Sequence, residues 1–280
     1  MESIGGRGIT AAAATLTFAL IGGTGGTVMA QDEPGIEVPA GLSVSGSVGT
    51  EVSTHFVSYG TDVWGAGGDW SRPSVFAFSE VSLDFDAFDV TTGVWFDLND
   101  RVDSPIGGPV QEVDWYVGVG FDIDRFRVDV VYQAWFYGSQ TEEIFDVSLG
   151  FDDTGLIFED FAFNPTLVAH TRLAGGTGTE GTALVFGIEP AFTFMEESDY
   201  PLTVSIPAEV AFGVNDFYAT NGYGYTAVGA TASTPLAFIP QEFGQWSAAA
   251  NLTYYWTDDE AIGNPRSDFL TGLVGVYLNF

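Results

Sequence analysis

Eleven carboxylates, two arginines and two histidines fall at alternate positions of extended segments, on the side opposite the bulky apolar residues. The acidic ones are Glu51, Glu80, Asp84, Asp89, Asp97, Asp114, Asp122, Asp129, Asp146, Glu189 and Glu209, and the others are Arg127, Arg172, His55 and His170. Gathered on the inner face of a closed sheet, they would make a negative interior. In a water-filled passage such an interior concentrates cations and opposes anions. The plain alternative is that they hydrogen-bond one another. Arg127 is expected to pair with Asp129 or Asp114 rather than to form a constriction. Nucleophilic catalysis finds little support. His55 has Ser53 near it, but there is no G-x-S-x-G, and a base needs a nucleophile within hydrogen-bond reach. No H-E-x-x-H or EF-hand pattern occurs. The acidic loop clusters Asp97, Asn99, Asp100, Asp103 and Asp258, Asp259, Glu260 read as solvated charge before calcium ligands. No catalytic residue, metal site or cofactor is therefore expected.

The elements that place these groups are strands. Side chains of a strand alternate between faces. In 126–137, Phe126, Val128, Val130, Tyr132, Ala134 and Phe136 oppose Arg127, Asp129, Val131, Gln133, Trp135 and Tyr137. The segments 88–99 and 112–123 divide the same way. Twelve such segments are expected: 43–57, 75–86, 88–99, 112–123, 126–137, 143–152, 163–173, 182–195, 201–213, 224–237, 245–257 and 268–280. Most reach the roughly 9–11 residues that cross a bilayer obliquely. The connections alternate between long (58–74, 100–111, 214–223, 258–267) and short, the long one at 152–162 excepted. With an even strand count and the amino terminus inside, the long loops lie outside. The expected fold is all-β, an antiparallel up-and-down transmembrane barrel of about twelve strands.

Composition agrees. The 280 residues are 46% hydrophobic and 15% aromatic, with 24 Phe, 36 Gly, no Cys and a net charge of -31, and all seven basic residues are Arg. Only opposite faces of one sheet accommodate so many aromatics and so many carboxylates together. The charge argues against nucleic-acid partners. Arg7, the apolar run from Ile9 to Ile21 and Val28-Met29-Ala30 read as a signal peptide over 1–30. A short periplasmic segment, 31–41, and an outer-membrane barrel, 42–280, follow. Phe85, Phe88, Phe121, Phe126, Phe151, Trp246 and Phe280 are expected at the inner lipid interface. Trp135, Phe136, Tyr137, Tyr223, Tyr225, Tyr254, Tyr255 and Trp256 gather at the outer ends. Leu270, Gly272, Val274, Val276, Leu278 and Phe280 share one parity. Such an ending is of the kind read by barrel-assembly machinery.

Glu112-Val113-Asp114-Trp115-Tyr116-Val117-Gly118, Asp146-Val147-Ser148-Leu149-Gly150 and Phe163-Asn164-Pro165-Thr166 resemble segments of the TorF-like putative porins of Gram-negative bacteria. The region Tyr59-Gly60-Thr61-Asp62 lacks the Arg expected of that family. The resemblance implies a porin-like barrel and names no solute. The expected function is passive diffusion of small solutes or cations across the outer membrane, among its lipids. The alternatives are a structural or adhesive barrel with a closed lumen, and a secreted soluble all-β binding protein.

Overall fold

A computed structural model describes residues 42–156, 161–175 and 180–280. The expected signal peptide and periplasmic segment lie outside these residues. The strands are β1 (Leu42–Ser53), β2 (Val57–Ser58), β3 (Thr61–Asp62), β4 (Ser74–Phe85), β5 (Asp89–Leu98), β6 (Val110–Ile123), β7 (Phe126–Tyr137) and β8 (Gln140–Phe151). They continue as β9 (Thr166–Gly175), β10 (Gly181–Ile188), β11 (Ala191–Phe194), β12 (Leu202–Ser205), β13 (Ala208–Val214), β14 (Gly222–Pro235), β15 (Gln245–Thr257) and β16 (Asp268–Asn279). With β10 and β11 sharing one wall position and β12 and β13 the next, each position pairs antiparallel with the one that follows it, and β1 pairs with β16 to close the ring. The result is one closed antiparallel barrel of twelve wall positions. It is one ring of strands and not two stacked sheets.

Two wall positions are each split by a proline. Between β10 and β11 the chain passes Glu189-Pro190, and between β12 and β13 it passes Ile206-Pro207. Proline has no N–H to give to a ladder. The adjoining amides and carbonyls re-pair locally, Ile206 N–H to the Pro190 carbonyl and Gly229 N–H to the Pro207 carbonyl. Beyond the breaks, β12 rejoins the wall on β14. The spans expected at 182–195 and 201–213 are thus interrupted. The span expected at 43–57 ends at Ser53, because β1 keeps its ladder only that far.

One end of the barrel carries the tight turns 86–88 and 124–125, where Asp124 takes the left-handed φ of 56° that Asp tolerates. This is called the inner end. The longer loops 54–73, 99–109 and 258–267 lie at the other. Loop length does not alternate strictly: β7 and β8 meet through Gly138 at the outer end, while 236–244 and the long connection after β8 lie at the inner end.

Outward positions are apolar and exposed, as at Val44, Val48 and Val52 of β1 and Leu270, Val274 and Val276 of β16. Facing the lumen, β16 instead buries Phe269, Leu273 and Tyr277. At the inner rim Phe85, Phe88, Phe121, Phe126 and Phe280 are exposed, Phe151 and Trp246 half-buried. The Phe85 and Phe88 rings stack at 4.7 Å, and Phe126 meets Phe151 at 4.9 Å. The outer rim differs from expectation. Phe136, Tyr223 and Trp256 are exposed, but Trp135, Tyr225 and Tyr255 are buried. Their parity turns them into the lumen.

Candidate functional site

The candidate site is the lumen, and its polar groups divide by depth. Near the inner end Arg127 meets Asp89 at 2.5 Å, Asp129 at 2.7 Å and Asp122 at 3.3 Å. Asp89 stands on β5, two strands away from β7, and Arg127 reaches it across Gly120 of β6. A Cβ at Gly120 would lie 1.8 Å from the guanidinium. The same device recurs. Tyr116 lies over Gly93 and donates to Glu80 at 2.6 Å. Tyr277 lies over Gly275 and donates to Glu51 at 2.8 Å. A missing side chain in the wall lets a long neighbour lie flat and satisfy a carboxylate it could not otherwise reach.

The other polar residues singled out in the sequence make the following contacts. Asp84 accepts from Ser45 at 3.2 Å, Glu189 from Ser205 at 2.8 Å and Glu209 from Tyr225 at 2.9 Å. Asp97 accepts from Trp64 at 2.7 Å, and Asp146 lies 2.6 Å from His170 Nδ1. Arg172 pairs with Glu142 and sits 4.4 Å over the Phe217 ring. Asp114 is fully buried beside Glu112. Arg127 thus pairs with Asp129 as expected, but with Asp89 and Asp122 beside it rather than Asp114.

Glu112 and Glu142 are buried lumen carboxylates outside the expected set. Glu142 was missed because β8 starts at Gln140, before the expected 143. A further difference concerns the outer part of the lumen, where a packed apolar core lies beside the buried carboxylates Glu51, Asp97, Glu112, Asp114 and Glu142. Ile144, Val168, Ala183, Val185 and Ala211 face inward and are buried to 2% exposure or less. Onto them fold Val57 and Tyr59 from loop 54–73, and Phe217 and Tyr218 from loop 215–221. A second apolar group joins Phe56 to Phe76 and Trp95 on the neighbouring strands β4 and β5.

The plug has its own local logic. Tyr59 (φ 46°) and Gly60 (φ 79°) form the tight turn between β2 and β3. Positive φ at both central residues is the type I′ signature of two-residue hairpins. Gly60 is required twice, since a Cβ there would also lie 2.5 Å from the Tyr225 ring. At the tip Tyr59 stacks on His170 with centroids 3.5 Å apart. Tyr218 donates to the Tyr59 carbonyl at 3.1 Å, and Asn264 donates to the Gly60 carbonyl at 2.7 Å. Burial, with Asp146 close by, pushes the Tyr59 phenol well above the usual tyrosine range. Burial and then Glu209 push Tyr218 up likewise. His55, the other expected lumen histidine, belongs to the plug. Its ring meets Thr54 Oγ1 at 2.7 Å and the Gly67 carbonyl at 3.0 Å, while Ser53 Oγ donates to the His55 carbonyl and not to the ring.

Fold and interior together define a closed β-barrel with an apolar exterior, a charged inner lumen and a plugged outer mouth. No family model matches the chain, so the TorF-like resemblance is not confirmed, and no curated protein matches it. Solved structures similar to it include the KdgM porin, at 10% identity and TM-score 0.46, covering 84% of this chain and 99% of that one. The NanC porin is similar at 14% identity and TM-score 0.45, covering 84% and 99%. The COG4313 outer membrane channel from Pseudomonas putida F1 is similar at 11% and 0.46, covering 89% and 100%. At these values the likenesses carry no functional argument, and the fold rests on the strand pairing itself.

Proposed function

We propose that this barrel is an outer-membrane channel for small solutes, with a preference for cations, held closed at its outer mouth by the inward-folded loop 54–73. The observation that carries the reading is the charge of the inner lumen. Glu80, Asp84, Asp89, Asp122, Asp129 and Glu189 face it against the single guanidinium of Arg127, and none of the seven is buried. Their attraction for cations acts where water can enter. The plug above them is built from a four-residue ladder and a turn, not from wall strands. Its displacement would leave the barrel closed and the passage open. Outer-membrane lipid on the apolar exterior, and barrel-assembly machinery acting on the strand that ends in Phe280, are the partners this reading requires.

A second reading is a structural or adhesive barrel with a permanently closed lumen. It is favoured by the packing of Tyr59 between His170 and Phe217. Planar-bilayer recordings under a salt gradient separate the two. Cation-selective steps, rare in the native chain and frequent once residues 57–62 are replaced by a Gly-Ser linker, support the channel. Silence from both proteins after verified insertion supports the closed barrel.

A further inference from the structure

Arg266 is the exception among the six described arginines. Arg72, Arg101, Arg125, Arg127 and Arg172 each donate a hydrogen bond or form an ion pair. Arg266 makes neither among the described residues, in a chain whose net charge is -31. It is exposed at the outer end of the barrel, in the loop that leads into β16.

Beside it lies a cavity of about 240 Å³ on the outside of the wall, bordered by Gly67, Gly68, Trp70, Tyr254, Asp268 and Leu270. The cavity has a structural origin. β1 stops pairing with β16 at Ser53 and Leu273, so the outer edge of β16 lacks its ladder partner. Trp70 fills part of the gap by donating its indole N–H to the Leu270 carbonyl at 3.1 Å. Loop 54–73 passes alongside with Gly67 and Gly68 against the Arg266 side chain, and a Cβ at Gly68 would lie 2.9 Å from its Nη1. The one carboxylate at the cavity, Asp268, already accepts from the Tyr254 hydroxyl. Below, along the same outer face, Leu270, Leu252 and Val274 are exposed.

We infer that this seam is a binding site for the headgroup of a lipid bearing a phosphate monoester, with Arg266 as its cationic anchor. The inference rests on the membrane reading of the barrel but not on its being a channel. An unpaired guanidinium beside interfacial aromatics matches a planar fork of donors to phosphate oxygens. The aromatic flanks suit the level where headgroups meet acyl chains. The cavity has the volume of roughly eight waters, enough for a phosphate and its ester arm. The apolar strip below it then receives an acyl chain. In a chain this acidic, general electrostatics would repel an anionic lipid, so retention at one place requires a local cation.

The test is native mass spectrometry of the full chain folded in neutral detergent micelles, titrated with phosphatidic acid or phosphatidylcholine. One phosphatidic acid should stay bound where phosphatidylcholine does not. Arg266→Gln should weaken its retention roughly tenfold, the scale of one charge-assisted contact, and Arg266→Lys should restore most of it. Because Arg266 makes no hydrogen bond or ion pair among the described residues, the Gln variant should keep native heat-modifiable gel migration. Equal retention by the Gln variant, equal retention of both lipids, or displacement by inorganic phosphate would each overturn the site. A chain that never enters micelles would remove the membrane reading along with it, whereas an inserted chain without selectivity would remove the site alone.

Discussion

The Tyr59 ring lies against the ring of His170, 3.5 Å between centroids and 25° between planes, on the far wall of the barrel from the strands that carry loop 54–73. That contact spans the lumen, so the plug is anchored at its tip as well as its base. Truncating a buried aromatic costs about 3 kcal/mol or more, which moves a docked–undocked equilibrium roughly a hundredfold. Tyr59→Ala should therefore raise the open fraction in bilayer recordings by about that factor while leaving gel heat-modifiability intact. An unchanged open fraction in the variant would show that the tip does not hold the plug.

Alkaline pH should open the same plug. The docked phenols of Tyr59 and Tyr218 hold their protons more tightly than free ones, because burial disfavours the phenolate. A group whose pKa is raised on docking contributes fully below its undocked value, near about 10, and the contribution is lost as pH climbs above that. Conductance should stay low at neutral pH and rise as pH passes about 10. The Tyr59→Phe, Tyr218→Phe double variant, which cannot ionise, should lose that rise. A rise of the same size in the double variant would assign it to other groups.

The alternation of carboxylates with bulky apolar residues was legible because a strand has period two, and a period survives errors of a residue or two at the ends. It therefore put Asp89, Asp129 and Glu80 on one face, and in the structure Asp89 and Asp129 share Arg127 while Glu80 accepts from Tyr116. The plug was not legible, for a physical reason. Thr54, His55, Phe56 and Val57 continue the alternation of β1 after its ladder has ended, and alternation cannot report where pairing stops. Aromatic identity misled in the same way. Trp135, Tyr225 and Tyr255 stand at strand ends like the outward aromatics, and only their parity separates them. Two signals were present. Tyr59-Gly60 between Val57-Ser58 and Thr61-Asp62 has the form of a two-residue hairpin turn. The inward face of β10, Gly181, Ala183, Val185 and Gly187, carries no charge at all, which a water-filled lumen would not require.

Arg127 sets the charge of the inner lumen. Its three carboxylate partners lie within 3.3 Å, and the side chain is 15% exposed. In the variant lacking residues 57–62, Arg127→Gln should shift the reversal potential in a salt gradient further toward the cation limit, because three negative groups lose their counter-charge. The partly solvated site should make the stability cost modest, roughly 1–2 kcal/mol. Reversal potentials that match between the two proteins would mean that permeating ions do not pass this cluster.

The barrel closes where Gly46 and Phe280 exchange two backbone hydrogen bonds, at 2.8 and 3.0 Å. The Phe280 ring lies over Gly46 on the outer face, 2.5 Å from where a Cβ would stand, and the Glu80 carbonyl of β4 lies 2.7 Å from the same point. The glycine therefore leaves room for the ring on one side and for the neighbouring strand on the other. Gly46→Ala should cost about 1–3 kcal/mol by overpacking, read as a lower urea midpoint in detergent micelles. Phe280→Ala should weaken the same seam by uncovering it. The two changes should not add, because the alanine Cβ already displaces the ring whose loss the second change would measure. Full additivity in the double variant would mean that ring and glycine act independently, and that the seam is held by its backbone ladder alone.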